Sequence, residues 1–540
     1  MLRDKYHSAY SSTMELESQT EKVARATDAS APASHQLMPG AQELGVIDLG
    51  SNTARLSIYA AAPMGPPWII FESKETPRLT SAALPDGRLP SEALHRVLET
   101  LERFRKILDD RGVRQRCAVA TSALREAPNG PAFLDEVHRR TGLSLRVLSG
   151  EEEARYGYLG AASGLSLSDD ILVDLGGGSL QLIRIREGKL ENKVSVPLGA
   201  LRLRDRFLEH DPPKKKELEL LWDHVLTTLR TSGFSRVSAS SVRFVGMGGT
   251  FRCLGRVLQE MREYPFPRVH GYVLPGEELE DLLSVFSELS AGTLQEVPGV
   301  GTDRADIIVS GLSIVLCLLD WLNKDEVTVT GCSIREGVAC ELLSRSIPIS
   351  RVDLALSSAR SAAWAFHLSA GHGGRVRDVA VRLYDQLGDM IGGGDEERLA
   401  LEVAALLHDA GTVVGYPNHE RHSSYMIRNH PLYGLTHREI LLASLSAALH
   451  EGDGLVPGII KKYRPILLEE DSRIVKRLGS VLALAEALAE GQHRPLFSLS
   501  HGELVVRMHR GIAPSPRAFE HARRSFRRSF GMEVKLSAVG

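Results

Sequence analysis

Two short segments of this chain read alike, and that repetition constrains its fold more than any other feature. Residues 44–48 are an apolar run ending in Asp48, and Gly50-Ser51-Asn52 turns it into an alternating run at 55–61. Residues 171–174 are a second apolar run ending in Asp174, and Gly176-Gly177-Gly178-Ser179 turns it into residues 180–186. Apolar runs bounded by Gly, Ser and Asn turns read as β-hairpins. Asp-Leu-Gly stands at both strand ends, so one hairpin is used twice. The expectation is a duplicated, β-rich α/β domain with a cleft between the copies. A helix is predicted at 91–110, where Leu94, Val97, Leu98, Leu101, Phe104 and Leu108 recur at helical spacing. A strand is predicted at 116–120. A third glycine turn, Gly248-Gly249-Thr250, follows an apolar strand and opens a helix.

Glycine lets backbone N–H groups approach oxygen anions closely, and a following helix N-terminus adds positive potential. Three such turns, two preceded by a strand-end Asp, point to a phosphate cradle: Ser51, Asn52, Gly177, Gly178, Ser179, Gly248, Gly249 and Thr250. Asp48 and Asp174 beside them suit Mg²⁺, a hard ion that takes carboxylate, water and phosphate oxygen. Ser149-Gly150-Glu151-Glu152 reads as a capping box at a helix start. The next residue, Glu153, lies on another face of that helix.

These segments recur in order with GVIDLGSNTARL (45–56), ATSALREAPN (120–129), SGEEEAR (149–155), VDLGGGSLQL (173–182), PLGALRL (197–203), VGMGGT (245–250), RADIIVSG (304–311) and SIREG (333–337). Together they resemble the Ppx/GppA family of exopolyphosphatases and guanosine pentaphosphate phosphohydrolases, within the actin-like superfamily. The resemblance implies an α/β fold of two actin-like (ribonuclease H-like) domains, at 44–170 and 171–345, after a disordered tail at 1–43. It implies that water attacks a terminal phosphoryl group, with Glu153 as general base and Arg125 on the phosphate. The resemblance also implies that Asp48 and Asp174 hold Mg²⁺ and that a monovalent cation can stimulate. Arg304, Asp306, Arg335 and Glu336 serve either this site or interdomain salt bridges. The implied substrate is inorganic polyphosphate, with guanosine pentaphosphate as the alternative. Most members of the family carry Gly-Gly-Gly-Ser-Thr-Glu where this chain has Leu180 and Gln181. An attenuated enzyme or a non-catalytic sensor is therefore a rival reading, and a kinase of the same fold a weaker one.

Beyond residue 350 the pattern turns helical, and residues 350–495 resemble the all-α HD-type module of long family members. His372, His408, Asp409, His422 and His450 are its candidate metal ligands, with His419 nearby and Glu486 where the family often has Asp. The segment 500–540 is basic, and a polyphosphate track is its sharper reading. The module's expected roles are substrate length and homodimer formation.

Lys and Arg number 65 against 68 Asp and Glu, a net charge of −3. No global charge advertises nucleic acid or an anionic membrane, so neither partner is expected. Five scattered cysteines fit a reducing cytoplasm. The longest apolar stretch, 307–319, is too short to cross a bilayer, which takes about 20 residues, and reads as a buried helix.

Overall fold

Alternating and continuous apolar runs set the two large sheets, and the repeated hairpin sets their order. The computed structural model describes residues 40–79, 86–236, 241–348, 350–451, 456–489, 495–509 and 514–539. The first lobe opens with an antiparallel meander of β1 (Gln42–Leu49), β2 (Ala54–Ala61) and β3 (Trp68–Glu75). Helix α1 (Ser91–Asp110) leads to β4 (Arg116–Ala120), parallel to β1. Then come α2 (Ser122–Glu126), α3 (Gly130–Thr141) and β5 (Leu145–Val147), giving the order β3-β2-β1-β4-β5. Of the expected tail, residues 1–39 lie outside the described residues, and β1 begins at Gln42, two residues earlier than the apolar run suggests.

Helix α4 (Gly150–Gly164) crosses to the second lobe, which repeats the plan. The meander is β6 (Asp170–Leu175), β7 (Leu180–Arg186) and β8 (Lys189–Val196). After α5 (Ala200–Phe207) and α6 (Lys215–Thr231), β9 (Arg243–Met247) runs parallel to β6. Helix α7 (Gly249–Met261), an edge strand β10 (Val273–Pro275), α8 (Gly276–Phe286) and α9 (Ala291–Leu294) follow. Helix α10 (Ile308–Leu322) is buried at every residue but Asp320, and β11 (Glu326–Val329) lies parallel to β9. The order is β10-β11-β9-β6-β7-β8. The register repeats as well: Asp48 stands opposite Arg55, and Asp174 stands opposite Gln181.

The lobes are tied where α4 crosses α11 (Ile334–Leu342). A Cβ on Gly160 would lie 2.0 Å from the Ser333 carbonyl oxygen, and one on Gly337 would lie 2.0 Å from that of Tyr156. Only glycine permits backbones this close. Each helix starts with a complete capping box, Ser149/Glu152 and Ser333/Glu336.

The C-terminal region is helical: α12 (Arg351–Ala365), α13 (Ala370–Leu387), α14 (Asp395–Leu407), α15 (His419–Asn429), α16 (His437–Leu449), α17 (Val456–Lys462) and α18 (Asp471–Leu488). Helix α15 escapes the periodicity reading because it is short and mostly polar. A small sheet of β12 (Leu496–Ser500), β13 (Glu503–His509) and β14 (Glu533–Val539), with α19 (Pro516–Phe530), closes the chain. Leu504, Val506, Phe526 and Val534 belong to the same apolar core as the helices, so this sheet is packed onto them. Its basic residues are largely spent on neighbours: Arg523 and Arg527 pair with Glu533, Arg524 with Glu520, and Lys535 with Glu503. The helical region touches both lobes, through Trp68 and Trp364 (ring centroids 6.0 Å apart) and through Arg268, which donates to the His430 carbonyl at 2.6 Å. Among the described residues no helix is long and apolar enough to cross a membrane.

The α4–α11 crossing yields a direct expectation. Gly160→Val should cost about 1–3 kcal/mol or more, as overpacking does where the opposing atom is a fixed carbonyl. Urea denaturation measures it. The same variant should lose turnover, because Glu153 and Arg335 sit on the two displaced helices.

Candidate active site

The repeated hairpins bring their turns face to face across a cleft of about 770 Å³ that opens to solvent. Asp48, Ser51 and Asn52 line it from the first lobe, and Asp174, Gly177, Gly178 and Ser179 line it from the second. Gly248 and Gly249 form part of the floor. Gly248 holds φ 111°, and a Cβ there would lie 2.4 Å from the Leu175 carbonyl oxygen, so the turn requires glycine. Thr250 is not in the lining. Its side chain is 1% exposed and packs beside Gly311, because α7 has already turned it into the lobe. Across the cleft, Asn52 Nδ2 donates to the Asp303 carbonyl at 3.3 Å, Arg78 pairs with Asp306 at 2.6 Å, and Lys74 pairs with Asp303.

Glu153, on the first turn of α4, is 3% exposed and faces the cleft. The capping box explains why. Glu152 accepts from the Ser149 N–H at 2.8 Å and stays outside, which leaves its neighbour to point inward. Arg125, at the end of α2, donates to Glu153 Oε1 and to the Leu148 carbonyl at 2.6 Å. Arg125 is absent from the cleft lining. The structure places this guanidinium on the Glu153 carboxylate. Gln181 Nε2 points at Glu153 Oε2 (3.0 Å), Ser179 Oγ (3.0 Å) and Ser195 Oγ (3.2 Å). Glu153 is therefore oriented from two sides.

Three carboxylates share this low-dielectric space. Burial pushes Asp174 up to about 7, with the charges of Glu153 and Asp48 adding to the rise and Arg252 opposing it. Burial raises Asp48 as well, against Arg335 and Arg55. Burial raises Glu153, against its hydrogen bond and ion pair with Arg125. Among the described residues neither Asp48 nor Asp174 makes an ion pair or side-chain hydrogen bond. Two unpartnered carboxylates at the cleft floor fit a hard divalent cation.

Facing them are guanidiniums that the sequence reading placed only in part. Arg55 lies on β2 beside Asp48, Arg252 on the first turn of α7, Arg304 over Gly249, and Arg335 at the start of α11. Arg335 pairs with Glu72, and Arg304 lies 3.5 Å from Asp303. Asp306 and Glu336, by contrast, serve structure: Asp306 bridges the lobes, and Glu336 caps α11 and accepts from Tyr59 at 2.6 Å. The Nη1 of Arg252 is buried with no hydrogen-bond partner. Burial pushes its guanidinium down to about 9, and the charges of Arg55, Arg335 and Arg304 add to the fall. Such repulsion is relieved when an oxyanion enters.

The helical region gathers a second set of side chains. His372, His408 and Asp409 converge, and Asp409 also converges with His419 and His450. His450 also groups with Glu451 and Glu486. His422 is in none of these groups. His419, at the first position of α15, is in the group with Asp409 and His450.

Opposed carboxylates and guanidiniums between two actin-like lobes define a site for phosphoryl groups. The chain belongs to the Ppx/GppA phosphatase family, whose model matches residues 57–346, and the model of that family's domain III matches residues 356–495. Exopolyphosphatase 1 of Mycobacterium tuberculosis is 32% identical over 298 residues, 55% of this chain and 86% of that protein. A guanosine-5'-triphosphate,3'-diphosphate pyrophosphatase of Vibrio vulnificus is 27% identical over 417 residues, 75% of this chain and 80% of that protein. The crystal structure of an exopolyphosphatase from Cytophaga hutchinsonii matches at TM-score 0.51 and 24% identity, covering 57% of this chain and 99% of that one, and shows the shared fold.

The raised Asp174 carboxyl gives a pH signature. In the unfolded chain the group returns to its ordinary value of 3.8, so above about 7 the folded, metal-free protein bears the cost of a buried charge. That cost shrinks as pH falls through 7 and is gone below 3.8. Asp174→Asn should therefore raise the thermal midpoint of metal-free protein at about pH 8, and the gain should fade towards about pH 4. Saturating Mg²⁺ should erase or reverse the gain, because wild type then has its counter-ion.

Proposed function

We propose that the protein hydrolyses terminal phosphoanhydride bonds and releases orthophosphate from inorganic polyphosphate. The observation that carries this is Arg252: a cleft-lining guanidinium with a buried, unpartnered Nη1, repelled by three others and opposite three carboxylates. A chain of phosphates supplies the missing negative charge. Phosphoryl transfer needs positioning and charge neutralisation more than covalent chemistry.

In this reading Glu153 takes a proton from the water that attacks the terminal phosphorus. The P–O bond to the next phosphate breaks, and the leaving oxygen departs with its electron pair. Desolvation makes Glu153 a stronger base than an exposed carboxylate. Arg125 and Gln181 fix its orientation, so Arg125 acts as a positioning residue. Ser51, Ser179 and the backbone N–H groups of the glycine turns hold phosphate oxygens, and the arginines neutralise the chain. A divalent ion such as Mg²⁺, held by Asp48 and Asp174, would supply further neutralisation at the phosphoryl oxygens.

Gln181 favours the enzyme over the sensor reading. Its amide points at Glu153 in a network that a carboxylate would disturb, so the site is built around the amide. Guanosine pentaphosphate is the second substrate reading, supported by the Vibrio vulnificus relative, whose match extends over 75% of this chain. The helical region is read as an HD-type module that governs substrate length and dimer formation. The five cysteines are free thiols, which supports a reducing, cytoplasmic setting.

Orthophosphate release from polyphosphate and from guanosine pentaphosphate, side by side with Mg²⁺, tests the proposal. Polyphosphate should be the faster substrate, and no release from either would overturn the hydrolase reading. Glu153→Gln should lower kcat by about 10²–10⁴-fold, the usual cost of losing a general base, with little change in polyphosphate binding by calorimetry. Gln181→Glu places a like charge beside the base. The acid limb of the kcat–pH profile should then move to higher pH, and the rate near neutrality should fall.

A further inference from the structure

The glycine turn of the second lobe is set from behind by a short helix. Three consecutive carbonyls of that turn are taken by α5. Gly176 accepts from the Ala200 N–H at 3.0 Å, and Gly177 accepts from the Leu201 and Arg202 N–H groups, each at 3.0 Å. Gly178 accepts from Arg202 Nε at 2.8 Å. The approach is at backbone distance. A Cβ on Gly199, the residue before α5, would lie 2.2 Å from the Gly177 carbonyl oxygen, so glycine is required there.

A trans peptide is planar, and its N–H points opposite to the carbonyl it shares the plane with. Three carbonyls turned towards α5 therefore turn the next three N–H groups, those of Gly177, Gly178 and Ser179, away from it. These residues line the cleft. Among the described residues none of the three N–H groups donates to a turn or loop carbonyl. Successive N–H groups facing one side make a concave cradle for an oxyanion.

The helix's own first N–H groups hold Gly176 and Gly177, whereas a side chain holds Gly178. That guanidinium forks. While Nε donates to Gly178, Nη2 pairs with Glu126, the last residue of α2 in the other lobe. The front of the turn meets the same lobe: a Cβ on Gly178 would lie 2.6 Å from both Ser51 Oγ and Ser122 Oγ. Arg202 itself is absent from the cleft lining.

We propose that Arg202 is a positioning residue for phosphate binding. With the first turn of α5 it fixes the peptide planes of the turn so that three N–H groups face the substrate, and Glu126 of the first lobe holds it in place. The inference rests on the reading of the cleft as a polyphosphate site. Without Arg202 the Gly178–Ser179 peptide is free to rotate, since glycine accepts either orientation. The Ser179 N–H then leaves the cradle.

The test compares Arg202→Ala and Glu126→Ala with wild type, each checked for folding by circular dichroism. Orthophosphate release from polyphosphate gives KM and kcat, and calorimetry gives Kd for polyphosphate. Arg202→Ala should raise KM and Kd about tenfold, the scale of one hydrogen bond to a charged group. Its kcat should change less than about threefold, because the turn binds ground and transition states alike. The Arg202 side chain is 36% exposed, so its removal leaves a slot open to solvent. Millimolar guanidinium chloride should therefore restore the affinity of Arg202→Ala, and the same concentration of NaCl should not. Glu126→Ala keeps the Nε bond and loses only an exposed ion pair, so its KM should rise less than about threefold. Unchanged affinity in Arg202→Ala overturns the proposal, as does a loss that guanidinium does not restore. Equal losses in the two variants assign the effect to the tie between lobes and overturn it as well. Wild type that binds polyphosphate without releasing orthophosphate overturns the hydrolase reading alone, and the Kd values still decide the role of Arg202. Wild type that binds no polyphosphate overturns both.

Discussion

The contact between Gly160 and Gly337 governs the arrangement of the cleft. It brings α4 and α11 to backbone distance, and each helix delivers a cleft-lining residue from its first turn: Glu153 from one and Arg335 from the other. Both first turns are pinned by capping boxes, so neither residue drifts as the helix frays. The cleft-lining Glu153 and Arg335 are thus referred to the same rigid crossing. Much of the rest of the cleft is strand ends and turns suspended from the two sheets, joined by Arg252 from the first turn of α7.

The cleft concentrates charge of both signs and leaves part of each unneutralised. Asp48 and Asp174 have no ion-pair partner among the described residues, and Arg252 has a bare Nη1. Folding has placed the groups where attraction across the cleft is incomplete and repulsion within each set is strong. Such a site is destabilising when empty and becomes favourable when a cation and a polyanion enter together. The surrounding sheets offset that cost, since their cores are apolar and continuous.

The sequence reveals what is local. Asp48 and Asp174 are visible because a strand, an acid and a glycine turn lie within a dozen residues and occur twice. The inward direction of Glu153 follows from Ser149 and Glu152 taking the cap. What is not visible depends on distant partners. Arg125 has the spacing of a phosphate ligand, yet it turns to Glu153, 28 residues on. Arg55 and Arg252 look like ordinary strand and helix arginines until β2 and α7 meet across the cleft. His419 and His422 are both on α15, a helix with too little apolar periodicity to be read. Only the packing of α15 against α16 selects the first over the second.

The register of the two hairpins has one further consequence. Arg55 and Gln181 occupy the same place in the two halves, each opposite a strand-end Asp. One half therefore presents a cation where the other presents a neutral amide hydrogen-bonded to Glu153. An unbranched phosphate polymer reads the same from either end and carries no polarity of its own. A cleft with two equal halves would let such a ligand slide without preference. The mismatch at this position makes the two walls of the cleft chemically distinct.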